Sequence, residues 1–470
     1  MEIVIILLAL AMLMFIAYKG FSVIIFAPLC ALFAILLTEP SWLLPWYSNV
    51  FMGKMVEYIQ LYFPIFLLGA LFGKVVEMSG LARSIATTLI QVLGKKQAML
   101  VIVLLAAILT YSGISLVVVA FAIYPFAANL FRQSNIPKRL IPGTIALGSF
   151  TFTMDALPGS PQVQNVIPTT FFGTDIYAAP LLGIVGAIFI FIVGMLYLTS
   201  RRKKAEKAGE GYDCFGTIKE EDSGVVDLTV QEGIGRKILA FVPVVLVAVL
   251  NKVFTTVIPN WYPNGFDFEA IGMAAFPNIE TTKVIGIWSV EIALIVGIIA
   301  TILYNHKPVV MDFKEGTKIG VAGALLAIMN SATEYGFGAV ISNLPGFGSI
   351  RDGIASVFNH PLINGAITTN VLSAVSGSAS AGIAISLGMM SEKYIAWANE
   401  LNIPLEVMHR AISMASGGMD TLPHNGAVIT LLAITGLTHK QSYKDIFAIT
   451  IIKTIAAFFV IGFYLLTGIY

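Results

Sequence analysis

The chain has 470 residues, 57% of them hydrophobic and 12% charged, and its 28 lysines and arginines against 27 aspartates and glutamates leave a net charge of +1. A mean hydropathy of +0.85 and apolar runs reaching the ~20 residues that cross a bilayer define an all-α polytopic protein surrounded by membrane lipid. They exclude a soluble globular fold, and nothing in the charge supports binding of nucleic acid; the placement of the basic residues sets orientation instead.

Residues 2–18 and 21–38 read as two antiparallel spans joined by a cytoplasmic turn at Lys19-Gly20. The first is a span rather than a signal peptide, since it starts with Glu2 instead of lysines and has no Ala-x-Ala-like end. Residues 39–58 carry Trp42, Trp46 and Tyr47, the composition of an outer interfacial belt, and 59–78 returns to the inside. The segment 80–94 is amphipathic and ends at Lys95-Lys96, as a connecting helix on the inner surface does. The apolar stretch 97–131 is interrupted at Thr110-Tyr111-Ser112-Gly113-Ile114-Ser115 and has basic residues at both ends. Its arms, about 13 to 16 residues each, are short for a span, which predicts a re-entrant hairpin with its tip at mid-membrane, in preference to two short tilted spans.

Residues 139–172 form a span broken at 154–161, Met154-Asp155-Ala156-Leu157-Pro158-Gly159-Ser160-Pro161. Residues 176–199 come back to Arg201-Arg202-Lys203-Lys204, a cytoplasmic anchor, and 201–237 is a polar cytoplasmic linker. Cys30, in an apolar run, and Cys214, in that linker, read as unpaired thiols. Spans at 238–257 and 284–304 bracket an outer loop with no lysine or arginine, Lys307, Lys314 and Lys318 mark the inside, and 319–341 goes outward. A second hairpin, 361–391, has its tip at Ser376-Gly377-Ser378-Ala379-Ser380. A second broken span, 409–437, contains Met419-Asp420-Thr421-Leu422-Pro423-His424-Asn425-Gly426, and 446–469 ends the chain.

The two halves match in register at an offset near 265. Gly73 and Gly80 pair with Gly338 and Gly346, Ser112-Gly113 with Ser376-Gly377, Asn135-Ile136-Pro137 with Asn402-Ile403-Pro404, and Asp155 and Pro158 with Asp420 and Pro423. The halves enter the membrane from opposite sides, so the expectation is two inverted repeats, 1–200 and 238–470. Each has about five spans with a hairpin and a broken helix, ten spans and two hairpins in all, with both termini outside.

That architecture is the one in which secondary transporters place a midplane site, with exposed helix ends turned toward a bound anion. The candidate substrate-binding residues are Ser112, Gly113 and Ser115 at the first tip, with Gly159 and Ser160 at the first break. In the second half they are Ser376, Gly377, Ser378 and Ser380 at the tip, with Thr421, His424 and Asn425 at the break. Asp155 and Asp420 are intramembrane acids fit to carry a proton, ligate sodium or cap a broken half-helix. An acid facing an anionic substrate is better protonated, which favours the proton. Glu334, without an acidic counterpart in the first half, is a third proton-coupling candidate, and His424, with an unperturbed pKa near ~6.5, suits a carboxylate contact or a proton relay. His306, His360, His409 and His439 fall near span ends and read as interfacial.

The run Thr151-Phe152-Thr153-Met154-Asp155-Ala156-Leu157-Pro158-Gly159-Ser160-Pro161-Gln162-Val163-Gln164-Asn165, followed by Ile167-Pro168-Thr169-Thr170-Phe171-Phe172-Gly173, resembles the gluconate permease (GntP-type) family of bacterial proton symporters, and the resemblance extends over essentially the whole chain. It implies uptake of a sugar acid or small hydroxy acid with protons across the bacterial inner membrane. Through the wider ion transporter superfamily it also implies a mobile transport part, about 97–172 and 361–437, moving against a homodimeric scaffold of the remaining spans. No cofactor, metal or enzymatic activity is expected. The paired Ser-Asn-Thr signatures of dicarboxylate carriers are replaced here by Ser112-Gly113-Ile114-Ser115 and Ser376-Gly377-Ser378, which favours the proton over sodium as coupling ion. Sodium-coupled transport of citrate or a dicarboxylate and an anion channel are the competing readings.

Overall fold

The computed structural model describes residues 2–19, 21–94, 97–114, 116–212, 233–349, 353, 358–423 and 425–470. Ser115 and His424, two of the candidate residues, and most of the linker, 213–232, lie outside the described residues. Among the described residues only two isolated β-bridges, Pro263 with Gly265 and Phe266 with Ile279, depart from an all-helical fold.

The helices are α1 (Glu2–Tyr18), α2 (Val23–Thr38), α3 (Met52–Met78), α4 (Leu81–Leu93), α5 (Ala98–Tyr111), α6 (Leu116–Gln133), α7 (Ile141–Ser149), α8 (Phe152–Asp155), α9 (Val163–Phe172) and α10 (Pro180–Lys207). After the linker come α11 (Ile234–Trp261), α12 (Thr281–Tyr304), α13 (His306–Asn343), α14 (Pro361–Ser376), α15 (Ala379–Glu400), α16 (Leu405–Ser416), α17 (Gly426–Thr435) and α18 (His439–Thr467). Among the described residues six helices are long and apolar enough to cross a membrane: Pro40–Met78, Pro180–Lys207, Gly235–Trp261, Thr281–Tyr304, His306–Asn343 and His439–Thr467. The other four segments read as spans, α1, α2 and the two interrupted helices, are shorter.

Three expectations change. The interfacial belt at 39–58 is helical: short turns over 40–51, the last of them the π-helical run Trp46–Phe51, lead directly into α3. The span expected at 319–341 is the C-terminal part of one 38-residue helix, about 57 Å at 1.5 Å per residue. Its Lys307, Lys314 and Lys318 therefore sit on that helix and not in a connection. No proline follows Pro308 before Asn343, so nothing stops the helix at the membrane surface. The start of the linker is docked rather than solvated, because Arg139 binds Glu210 at 2.5 Å and the Tyr212 amide donates to Asn135 Oδ1.

The matched sequence positions share local geometry. Asn135 and Asn402 both take left-handed φ, 47° and 52°, and the next residues close the same six-residue bond, Ile136 to Phe131 and Ile403 to Ala398, both 2.8 Å. This is the Schellman way of ending a helix. Gly113 and Gly377, with φ of 94° and 68°, turn the two hairpins, and Gly173 and Gly436, both at 63°, end α9 and α17. The hairpins α5–α6 and α14–α15 pack on α7 and α16 respectively, while α9 packs on α15 and α17 on α6. Helices α2, α3, α12 and α13 form a second contact group that touches the first where α13 packs on α15 and α12 on α9, and α10 and α18 pack on each other and on the interrupted helices.

Candidate functional site

Each interruption is tied to the tip of its own hairpin by an amide side chain. Pro158 and Pro161 remove donors and disfavour helix at the residues before them, so the chain leaves α8 and restarts at α9. Gln162, the residue before α9, donates through Nε2 to Thr110 O at 2.7 Å and Ile114 O at 3.1 Å. In the second half Asn425 caps α17 by accepting from the Val428 amide at 2.8 Å and donates to Gly377 O at 2.6 Å. A cap of this kind stabilises a helix start by about 1 kcal/mol. Tyr111 donates to Pro158 O at 2.7 Å, holding the first tip against the first break from the other side.

Between these breaks lies a buried charge cluster. Asp155 ends α8, and Gly417, which opens the second break, rests against its carboxylate, where a Cβ would overlap Asp155 Oδ2. Both Asp155 carboxylate oxygens are buried without a hydrogen-bond partner among the described residues, and Lys453, Asp420 and Arg410 act on the group electrostatically. Lys453 of α18 is ion-paired with Asp420 and donates to Phe150 O at 3.0 Å. Arg410 of α16 is fully buried and grips the first break across the two halves. It donates to Asp155 O at 3.0 Å, Asn165 Oδ1 at 2.8 Å, Ala178 O at 2.8 Å and Ile176 O at 3.3 Å. The guanidinium thus satisfies carbonyls that the broken helix leaves open. With both carboxylates ionised, the two carboxylates and two cations sum to zero charge.

The capping role, one of the three open to Asp155, is not found: Asp155 stands at the end of a helical turn, α9 starts after Gln162 without a side-chain cap, and α17 is capped by Asn425. His409, expected at an interface, is fully buried, with Thr174 Oγ1 2.7 Å from its Nδ1 and Asn165 Oδ1 3.3 Å from its Nε2. Several candidate hydroxyls are engaged by backbone of their own element. Ser112 donates to Leu109 O, Ser160 to Thr153 O across the break, and Ser376 to Leu372 O. Gly159, at φ 79°, lies under Tyr177 and beside Tyr111, where a Cβ would collide with the Tyr177 ring and press on Tyr111 Oη. Thr421 pairs with Thr450 at 2.6 Å.

Glu334 belongs to a second group. It is 3% exposed on α13; one turn earlier Ser331 Oγ lies 3.0 Å from Ser380 Oγ of the second hairpin, and Ser380 lies 3.1 Å from Ser378. The structure therefore brings Asp155 and Asp420 into one charge cluster, ties Asn425 to the tip of the second hairpin, and places Glu334 where α13 meets that hairpin. Sequence reasoning missed Lys453 and Arg410. The signal was present, since each is an ionisable residue within an otherwise apolar helix or break, which is a functional candidate by default.

The chain is 60% identical over 471 residues to a protein of Bacillus subtilis (strain 168) described as the uncharacterized transporter YxjC, with all of both chains covered. Its fold is similar to that of the YdaH transporter of Alcanivorax borkumensis, whose crystal structure is described as having an unusual topology. The TM-score is 0.55 at 15% identity, over 92% of this chain and 90% of that one. Residues 51–469 match the GntP family permease description, and the chain belongs to that family of multi-pass membrane permeases.

Proposed function

We propose that this protein is a secondary transporter of the bacterial plasma membrane that imports a small organic monocarboxylate together with a proton. Its substrate is a gluconate-like sugar acid or a short hydroxy acid such as 3-hydroxybutyrate. The observation that carries the reading is the cluster of Asp155, Asp420, Lys453 and Arg410, neutral when both carboxylates are ionised, where both interrupted helices meet. A carboxylate entering beside it leaves one net negative charge in a dry site, which is costly unless a cation comes along. A proton on Asp155, whose carboxylate oxygens are free of partners, restores neutrality with no new ligand.

The recurring hairpin and interrupted-helix geometry supports two inverted repeats around a midplane site. In this reading α5–α9 and α14–α17 move as the transport part in an elevator-type cycle. They take α10 and α18 with them, since α18 supplies Lys453 and both pack on the interrupted helices. Helices α2, α3, α12 and α13 form the scaffold, through which a homodimer assembles, and both termini lie outside.

The test is uptake of labelled gluconate and 3-hydroxybutyrate into proteoliposomes, with proton and sodium gradients imposed separately. Accumulation driven by protons and lost in Asp155→Asn supports the reading. Accumulation driven by sodium alone, or equilibration without concentration, overturns it.

A further inference from the structure

A small buried cavity of about 50 Å³ lies between α3, α9, α13 and α15, lined by Glu57, Tyr58, Tyr62, Thr170, Tyr335 and Ala384 among others. Three of its hydroxyls, Tyr58 Oη, Tyr62 Oη and Thr170 Oγ1, are buried without a hydrogen-bond partner among the described residues, and so is Glu334 Oε2. Tyr58 adjoins Ser331 and Tyr62 adjoins Thr170 without closing a bond, and Tyr58 is within electrostatic reach of Glu334. Such groups are rarely left orphaned in a native interior, and a space of this size bordered by several unpaired hydroxyls has room for roughly one or two waters, each making two to four hydrogen bonds.

We propose that this cavity is an internal water site that carries protons between Glu57 at its rim and Glu334, and that Tyr58 hands the path on through Ser331 and Ser380 to Ser378 at the tip of the second hairpin. The geometry is that of a hydroxyl relay. Ser331, Ser380 and Ser378 stand 3.0 and 3.1 Å apart in sequence, and every member both donates and accepts. At each hydroxyl or water one O–H bond forms as the arriving proton binds and another O–H bond breaks as a proton leaves, so every relay oxygen ends as it began, and Glu334 is the resting acid. The titratable groups facing the site are Glu57, Tyr58 and Tyr62 of α3 and Tyr335 of α13. The residues that α9 and α15 turn to it, Thr170, Phe171 and Ala384, are uncharged, and Cys30 is the one titratable residue of α2.

The inference rests on the proposed transport reading and adds a mechanism of coupling to it. Glu334 and Tyr58 sit on scaffold helices, and Ser378, Ser380 and Thr170 on the transport part. Movement of one against the other therefore breaks the relay, so protons reach the hairpin from this side in one state only.

The experiment is infrared difference spectroscopy of the full chain in liposomes between acid and alkaline pH, alongside proton-driven gluconate uptake, for wild type, Glu334→Gln, Tyr58→Phe and Ser331→Ala. The expected result is a protonated-carboxyl band in wild type that is absent in Glu334→Gln and displaced in Tyr58→Phe. Proton-driven accumulation falls about tenfold in Tyr58→Phe and Ser331→Ala, the effect of one lost hydrogen bond, while exchange of labelled for unlabelled gluconate without a gradient is retained. Identical wild-type and Glu334→Gln spectra overturn the proposal even where uptake is proton-driven. Spectra that respond as expected in a protein that transports neither acid with protons uphold the water site and overturn the function it was joined to.

Discussion

Lys453→Met removes the ammonium that is ion-paired with Asp420 and leaves Asp420 and Asp155 in one buried site with Arg410 as sole cation. The Lys453 and Asp420 side chains are 1% and 4% exposed, so water does not replace the lost charge. Breaking a pair this deeply buried costs about 3–5 kcal/mol, because the remaining charge is stranded. Each kcal/mol shifts the melting temperature by about 2–4 °C in a domain of 150–250 residues and less in a longer one. For this chain the expected loss is about 3–10 °C in detergent, measured by thermal unfolding. The double variant Lys453→Met/Asp420→Asn removes both charges and is expected to recover about half or more of that loss, a favourable coupling of roughly 2 kcal/mol. A single variant that melts with wild type, or a double variant whose loss is the sum of the two singles, refutes the assignment of Lys453 and Asp420 as a buried ion pair.

Three further perturbations report on the joints of the site. Arg410→Lys keeps the charge but loses the planar fork that reaches Asp155 O, Asn165 Oδ1, Ile176 O and Ala178 O. At least two orphaned acceptors, at about 1–3 kcal/mol each, predict a lower melting temperature and faster proteolysis of the 173–179 loop than in wild type. Gly417→Ala puts a Cβ into the Asp155 carboxylate, so initial uptake rates are expected to fall at least tenfold while the detergent-purified protein stays monodisperse by gel filtration. Asn425→Ala removes the α17 cap and the bond to Gly377 O. The expected loss of about 1–2 kcal/mol is to be read as increased hydrogen exchange at Gly426–Val428, with Asn425→Asp retaining the cap and losing the bond to the hairpin.

Much of this arrangement was legible because it rests on local chemistry. Prolines and glycines in apolar runs mark the interruptions, and the Asn-Ile-Pro copies adopt the same helix ending, since a positive φ at asparagine is a local property. The Asp155 and Asp420 motifs coincide with the breaks for the same reason. What the chain did not reveal is which distant residues close the charges. Lys453 follows Asp420 by 33 positions, and Arg410 lies beside the loop it grips only in space, reaching back more than 230 residues to Ala178. The equivalence of Gln162 and Asn425 was missed because the alignment offset drifts by two residues within the break. At α13 the charged residues Lys307, Lys314 and Lys318 read as a boundary in the sequence, whereas nothing in the backbone ends the helix there.

The central claim is that carboxylate and proton cross together. It is tested most directly by enclosing a pH-sensitive dye in proteoliposomes and adding gluconate or 3-hydroxybutyrate outside, with equal pH and no sodium. The account predicts that the lumen acidifies in proportion to labelled substrate taken up, and that Asp155→Asn abolishes the acidification. Uptake with no change of internal pH contradicts it.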